Sequence, residues 1–190
     1  MQAKLIKERK QLLDICYNYD LKIIKDQLES RYDLYDPEIG SLKPYYYALK
    51  NEDGFIGIIC VDSNNVKYKD YLHIISYDVS SDWDKQNGAA LMINWLSEKA
   101  KATGWKGISI QTINPVNKIW FEDDKNVEVP EDLKIEDEKS KGDRLVRDYQ
   151  KLGFEPVSYT SWGGINLKRT FESQNLQYDI FKAILESSVK

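Results

Sequence analysis

Residues 71–96, YLHIISYDVSSDWDKQNGAALMINWL, decide the fold. The first nine are apolar, aromatic or β-branched enough to read as a strand. A polar loop follows, and Gly88, Ala89 and Ala90 open a helix over about 87–103. Leu91, Met92, Trp95, Leu96 and Ala100 form its apolar stripe, and Gly104 is its stop signal. Residues 106–112, KGISIQT, read as the next strand, so the order strand–helix–strand predicts a parallel pair. Small residues at a helix start let a ligand approach the backbone, and the free N–H groups there favour a phosphate. The same residues also serve plain helix packing, and this stretch alone does not separate the two.

Outward from that unit the periodicity continues in both directions. Upstream, residues 45–50, 55–61 and 71–79 read as an antiparallel meander, with turns at 51–54 and 62–70. Before it come a short strand at 2–7 and two helices, at about 8–16 and 21–31, with Asp20 in the N-cap place of the second. Residues 33–44 hold Pro37, Gly40, Ser41 and Pro44 and read as a loop. Downstream, residues 143–152 form a helix with Leu145, Val146, Tyr149 and Leu152 on one face, ended by Gly153. Strands at 154–161 and 164–170 follow, and then an amphipathic helix carrying Leu176, Ile180, Phe181, Ile184 and Leu185. Residues 114–142 contain no element of useful length. The expectation is one domain over 1–171 with an insertion at about 114–142, and a helical extension over 172–190 that packs on the sheet or on a second subunit of a homodimer.

Composition narrows the function. The chain has 190 residues, 42% of them apolar and 31% charged, which suits a soluble globular domain. The net charge of −4 argues against a general nucleic-acid binder while leaving room for a local basic patch. That charge is uneven. Residues 122–139 hold nine acids and three lysines, a net −6, so the remainder is +2. The segment reads as a solvated acidic loop or as a flap over a substrate, with Trp120 and Phe121 favouring contact with the body. One histidine and two cysteines, Cys16 and Cys60, cannot assemble a Cys/His zinc site. Two buried thiols in a reducing compartment are the favoured reading over a disulfide. The polar N-terminus and the lack of a long apolar run point to a cytoplasmic protein.

A second segment carries chemistry: Asp148-Tyr-Gln-Lys-Leu-Gly-Phe-Glu155, in which a helix presents Tyr149, stops at Gly153 and hands Phe154 to a strand. Alone it is equally a core tyrosine before a glycine cap. Together and in this order, the two segments resemble the GCN5-related N-acetyltransferase (GNAT) superfamily. Its acyl-CoA motif is Arg/Gln-x-x-Gly-x-Gly/Ala, which Lys85-Gln-Asn-Gly88-Ala-Ala90 fits with one substitution; its Tyr-x-x-Leu-Gly-Phe context is met by Tyr149-Gln-Lys-Leu-Gly-Phe154. The resemblance covers 44–170. It implies a mixed, mostly antiparallel α/β (α+β) sheet that splays at its fourth strand, with helices on both faces.

The resemblance also implies roles. Tyr77, Asp78 and Val79 would end the fourth strand, where backbone pairs with the pantetheine arm. Lys85, Gln86, Asn87, Gly88, Ala89 and Ala90 would wrap the pyrophosphate of acetyl-CoA, with Gly88 least able to carry a side chain. Tyr149 would protonate the thiolate leaving group. Asn114 or Asn117 would fill the place of a family asparagine, although the acidic insertion intervenes. For the base the candidates are Asp78, His73, Glu155 and Tyr77. Strict alternation puts His73 and Asp78, five apart, on opposite faces unless a bulge intervenes. His73 also reads as a satisfied buried histidine and Asp78 as a capping carboxylate. The implied activity is N-acetylation of a primary amine, a small molecule or a protein, by direct attack and without metal. The acidic segment favours a cationic acceptor. Other acyl or aminoacyl transfer, including to a nucleic-acid base, and a non-catalytic CoA-sensing or protein-binding module are the rival readings.

Overall fold

The structure is a computed structural model that describes residues 1–29, 35–36, 40–41, 44–64, 67–112, 146–159 and 165–171. β1 (Gln2–Ile6) leads into α1 (Arg9–Asn18) and α2 (Lys22–Glu29). Two short strands, β2 (Tyr35–Asp36) and β3 (Gly40–Ser41), pair with each other inside the stretch expected to be loop. The meander follows as β4 (Pro44–Asn51), β5 (Gly54–Asp62) and β6 (Tyr71–Val79). Then come α3 (Lys85–Ala102), β7 (Gly107–Thr112), the helical residues 146–151, β8 (Glu155–Tyr159) and β9 (Ile165–Thr170). The acidic insertion, Trp120, Phe121, Asn114, Asn117 and the C-terminal extension lie outside the described residues.

Seven strands form one sheet in the order β1-β4-β5-β6-β7-β9-β8. Every pair is antiparallel except β6 with β7, which α3 connects in parallel as the strand–helix–strand order predicts. The sheet has two apolar faces. On one, Met92, Ile93, Leu96 and Ala100 of α3 meet Ile59, Val61, Ile74, Ile108 and Ile110. On the other, Leu12, Cys16 and Ile24 of the first two helices meet Tyr46, Ile58 and Cys60. Each large side chain so buried contributes roughly 1.5–3 kcal/mol. The cysteines are free and buried; burial foremost pushes the Cys16 thiol up to about 11 and the Cys60 thiol up to about 12, which leaves both protonated and inert at neutral pH. Gly104 and Gly153 sit at φ +85° and +82°, the left-handed turn that ends a helix and that side chains disfavour.

Three local expectations change. α3 begins at Lys85, two residues earlier than its apolar stripe suggests, because Asp84 caps it. Asp20 does not cap α2: it adopts φ +51° in the turn between the helices. β6 carries a bulge. Cys60 faces Ser76 while Val61 faces Ile74, so Ile75 is the extra residue. The bulge resets the alternation, and His73 and Asp78 therefore share the face turned to α1 and α2.

Candidate functional site

β6 and β7 run together only over Tyr71–Gly107 to Ile74–Ile110. Beyond that rung, among the described residues, β6 continues for five residues, 75–79, without a partner on its β7 side, and β7 continues to Thr112 beside β9 alone. The sheet thus opens into a cleft at its fourth long strand, as the resemblance implied. One side of β6 there presents backbone donors and acceptors that no described strand meets, which suit an extended amide chain laid along it.

The α3 face of this cleft holds two phenols. Tyr77 projects from β6 toward the α3 core, and Tyr149 reaches it from the helical residues 146–151. The chain turns sharply after Tyr149: the Leu152 and Phe154 N–H groups both donate to its carbonyl, and its ring meets Phe154 edge-on at 5.8 Å. The two phenol groups face each other. Burial first, and Tyr77 next, hold the Tyr149 phenol well above its ordinary value; burial also raises Tyr77, against the opposing pull of Tyr149. Both phenols therefore keep their protons across the physiological range.

At the head of the cleft stands the N-terminus of α3. The Asp84 carboxylate accepts the Asn87 N–H at 2.9 Å, and the Asp84 carbonyl accepts the Gly88 N–H at 2.9 Å. Of the six expected wrapping residues, only Lys85 and Gln86 keep N–H groups outside the helical ladder and its cap. Ala89 lies in the core. Gly88 is demanded by packing: a Cβ there would stand 2.4 Å from Val79 Cγ1. Val79 is pinned from the other side as well, since a Cβ on Gly57 would fall 2.2 Å from the Asp78 carbonyl oxygen. These two glycines let β5 and α3 close onto the end of β6.

On the opposite face Asp78 is only 9% exposed, and its Oδ2 accepts the Ile23 N–H at 2.7 Å. The Ile24 and Val79 N–H groups add to it, and the Lys85 charge also favours the ionised form; burial outweighs all of these and raises the carboxyl above its usual value. Asp78 is thus the cap that Asp20 fails to supply. Ser76 donates to Gln27 Oε1 at 2.6 Å and adds a second tie between β6 and α2. His73, 4% exposed, lies within hydrogen-bond distance of Ser109 Oγ, 3.1 Å from its Nδ1, below the opening of the cleft. Glu155 is exposed on β8, the far edge of the sheet, three strands from β6. Tyr77, Asp78, Val79, Lys85, Gln86 and Tyr149 therefore gather around the opening, whereas His73 and Glu155 stand away from it. Asp84 escaped the sequence reading, though an aspartate three residues before an asparagine at a helix start is a legible cap signal. Among the described residues no group of three or more His, Cys, Asp or Glu is placed to hold a metal ion, and no helix is long and apolar enough to cross a membrane.

No family model matches the chain, and no curated protein matches it. Solved structures do. The chain is similar to the aminoglycoside 6'-N-acetyltransferase of Enterococcus faecium, at 15% identity and TM-score 0.49, over 90% of this chain and 97% of that one. It is similar to a spermidine N-acetyltransferase chimera from Vibrio cholerae, at 13% identity and TM-score 0.48, over 89% and 93%. It is also similar to the ribosomal-protein-S18-alanine N-acetyltransferase of Escherichia coli, at 12% identity and TM-score 0.47, over 92% and 97%. At these identities the likeness is one of fold.

Proposed function

We propose that the chain is an acetyl-CoA-dependent N-acetyltransferase acting on a primary amine. The observation that carries this reading is the opening between β6 and β7 with the Tyr77–Tyr149 phenol pair on its wall. An acyl-pantetheine arm laid along 75–79 pairs with the β6 backbone as a strand would, which brings its thioester into the opening. The diphosphate end then reaches the Lys85 and Gln86 N–H groups and the Lys85 ammonium, which suit an anion.

The reaction is a direct transfer. The acceptor ammonium gives one proton to solvent, its neutral nitrogen attacks the thioester carbonyl carbon, and the nitrogen sheds a second proton to solvent as the carbon–sulfur bond breaks. Backbone N–H groups of the unpaired β6 edge polarise the carbonyl oxygen. The thiolate leaves and takes a proton from Tyr149 of the phenol pair, which regains one from solvent after the product departs. An alkylamine with a pKa near 10 is mostly protonated at neutral pH, so proton removal precedes attack. Asp78 serves as the cap that fixes α2 against β6. The net −6 of residues 122–139 favours a cationic acceptor. The structurally similar enzymes are named for an aminoglycoside, a polyamine and a protein alanine, so the acceptor is open across small molecules and proteins.

Two measurements test the proposal. Acetyl-CoA at 100 times its Kd stabilises the native state by about 2.7 kcal/mol, so a thermal shift is expected. Thiol release from acetyl-CoA against an amine panel follows turnover. Stabilisation without thiol release on any amine would leave a CoA-binding module; no stabilisation would overturn the reading.

A further inference from the structure

On the sheet face away from α3, the polar side chains flanking the cleft are matched to one another. Ser109 is paired with the His73 ring at 3.1 Å, Ser76 with Gln27 at 2.6 Å, and Asn166 donates to Ser158 Oγ at 3.0 Å. Gln111 stands in their midst and differs. It is the first residue of β7 beyond the last β6 rung, it faces Asn166 across β9, and the alternation from Ile108 and Ile110 turns it away from α3. Its side-chain nitrogen is buried and, among the described residues, has no hydrogen-bond partner. A buried amide donor left unmade costs about 1–3 kcal/mol, and such a group calls for a specific explanation.

The geometry assigns Gln111 as an acceptor-binding residue: its amide NH2 donates to an oxygen carried by the amine substrate, which makes the substrate class an oxygen-bearing amine, such as an amino sugar or amino alcohol, in preference to a plain alkylamine. The assignment rests on the acetyltransferase reading and deepens it. The position fits the role. The residue lies where β7 leaves β6, so a group held there sits beside the strand edge that would hold the thioester. The face is the one turned to α1 and α2, away from the Tyr77–Tyr149 pair, so the acceptor and the proton donor approach the reacting carbon from different sides of the sheet. An amide that can both donate and accept suits a hydroxyl, an ether or a carbonyl oxygen. A site built to hydrogen-bond such an oxygen rejects the analogue that lacks it, because its own donor is then left bare.

The test uses the full chain, Gln111→Met and Gln111→Glu, and pairs of amines that differ only in oxygen, with 2-amino-2-deoxyglucose against cyclohexylamine as the first pair. Thiol release gives kcat/KM, calorimetry gives acetyl-CoA affinity, and thermal unfolding reports stability. The wild-type chain is expected to favour the oxygenated member of each pair. In Gln111→Met that preference falls by about tenfold or more, mainly through acceptor KM, while acetyl-CoA affinity holds and the melting temperature stays level or rises. Gln111→Glu, which lacks the donor, behaves alike in preference. A fall in melting temperature for Gln111→Met would assign the amide a structural partner, including a trapped water, and overturn the proposal. A wild-type preference for the bare amines, or a preference untouched by both substitutions, would overturn it too, with acetyl-CoA binding and turnover intact. Failure of the acetyltransferase reading is told apart by the wild-type chain itself, which would then neither bind acetyl-CoA nor release thiol, and both proposals would fall.

Discussion

Replacing Asp78 separates two roles that a carboxylate at the end of β6 can play. As the α2 cap, its Oδ2 holds the Ile23 N–H at 2.7 Å with 9% of the residue exposed. Asp78→Ala leaves that N–H without an acceptor in a site closed to water, at a cost of about 1–3 kcal/mol. For a chain of this size each kcal/mol moves Tm by about 2–4 °C, so a fall of roughly 2–12 °C is expected by thermal unfolding. Asp78→Asn keeps an oxygen in place and should lose far less. Burial raises the folded carboxyl above its unfolded value of about 3.9. Between those two values the folded chain binds more protons than the unfolded one, so stability falls as pH rises through that window and is regained on acidification. Asp78→Asn lacks this proton, so the Tm difference between wild type and Asp78→Asn should grow in the wild type's favour toward acid pH. A catalytic base behaves otherwise. If turnover by Asp78→Asn fell by about a hundredfold or more, with the acid limb of the rate profile lost, Asp78 would be the proton acceptor as well as the cap. An unchanged Tm for Asp78→Ala would refute the cap on its own.

Three further substitutions probe the opening. Tyr149→Phe removes the proton donor of the phenol pair and should slow turnover by about 10²- to 10⁴-fold while calorimetry shows acetyl-CoA affinity nearly unchanged. Gly88→Ala forces a methyl to 2.4 Å from Val79 Cγ1 and should cost about 1–3 kcal/mol in thermal or urea unfolding; pairing it with Val79→Ala should restore part of that loss. Asp84→Asn keeps a capping oxygen for the Asn87 N–H and removes a negative charge from the helix N-terminus, so acetyl-CoA should bind about two- to fivefold tighter by calorimetry, in line with the ~0.3–1 kcal/mol of a charge at such a site.

Much of the fold was legible because its signals are local. The alternation in β4, the apolar run of β5 and the 3.6-residue stripe of α3 each declare their element, and the connection from β6 through α3 fixes the parallel pair. What escaped is what depends on distant partners. Ile74 and Ile75 are consecutive and both apolar, so the bulge between them hides inside what reads as a central strand, and with it the shared face of His73 and Asp78. The cap of α2 comes from a residue 55 positions away, so a local scan finds Asp20 instead. Gly88 was singled out for a close ligand approach; a Cβ there would meet Val79 from the preceding strand, a contact invisible until the helix is docked. Gln111 gave no signal, because a glutamine in a strand becomes unusual only when its neighbours prove to be paired without it.

The electrostatics of the cleft head follow from these caps. A helix N-terminus attracts anions, and here α2 and α3 both present theirs around the end of β6. The chain fills each with its own carboxylate, Asp78 on α2 and Asp84 on α3. Lys85 is the countercharge, close enough to pull on Asp78. The three groups sum to −1, so an incoming diphosphate meets two backbone donors and one ammonium against two fixed acids. Attraction from the helix dipoles is largely spent inside the protein before any ligand arrives. On the proposed reading, binding energy for an acyl-CoA would come chiefly from the open β6 edge, where alternate residues of 75–79 turn their backbone groups outward, and from the apolar walls of the parting sheet. Such binding depends weakly on salt, because the charges that would be screened nearly cancel already. On the proposed reading, the opening between β6 and β7 would thus specify the ligand more strongly than residues 85–90 that first pointed to it.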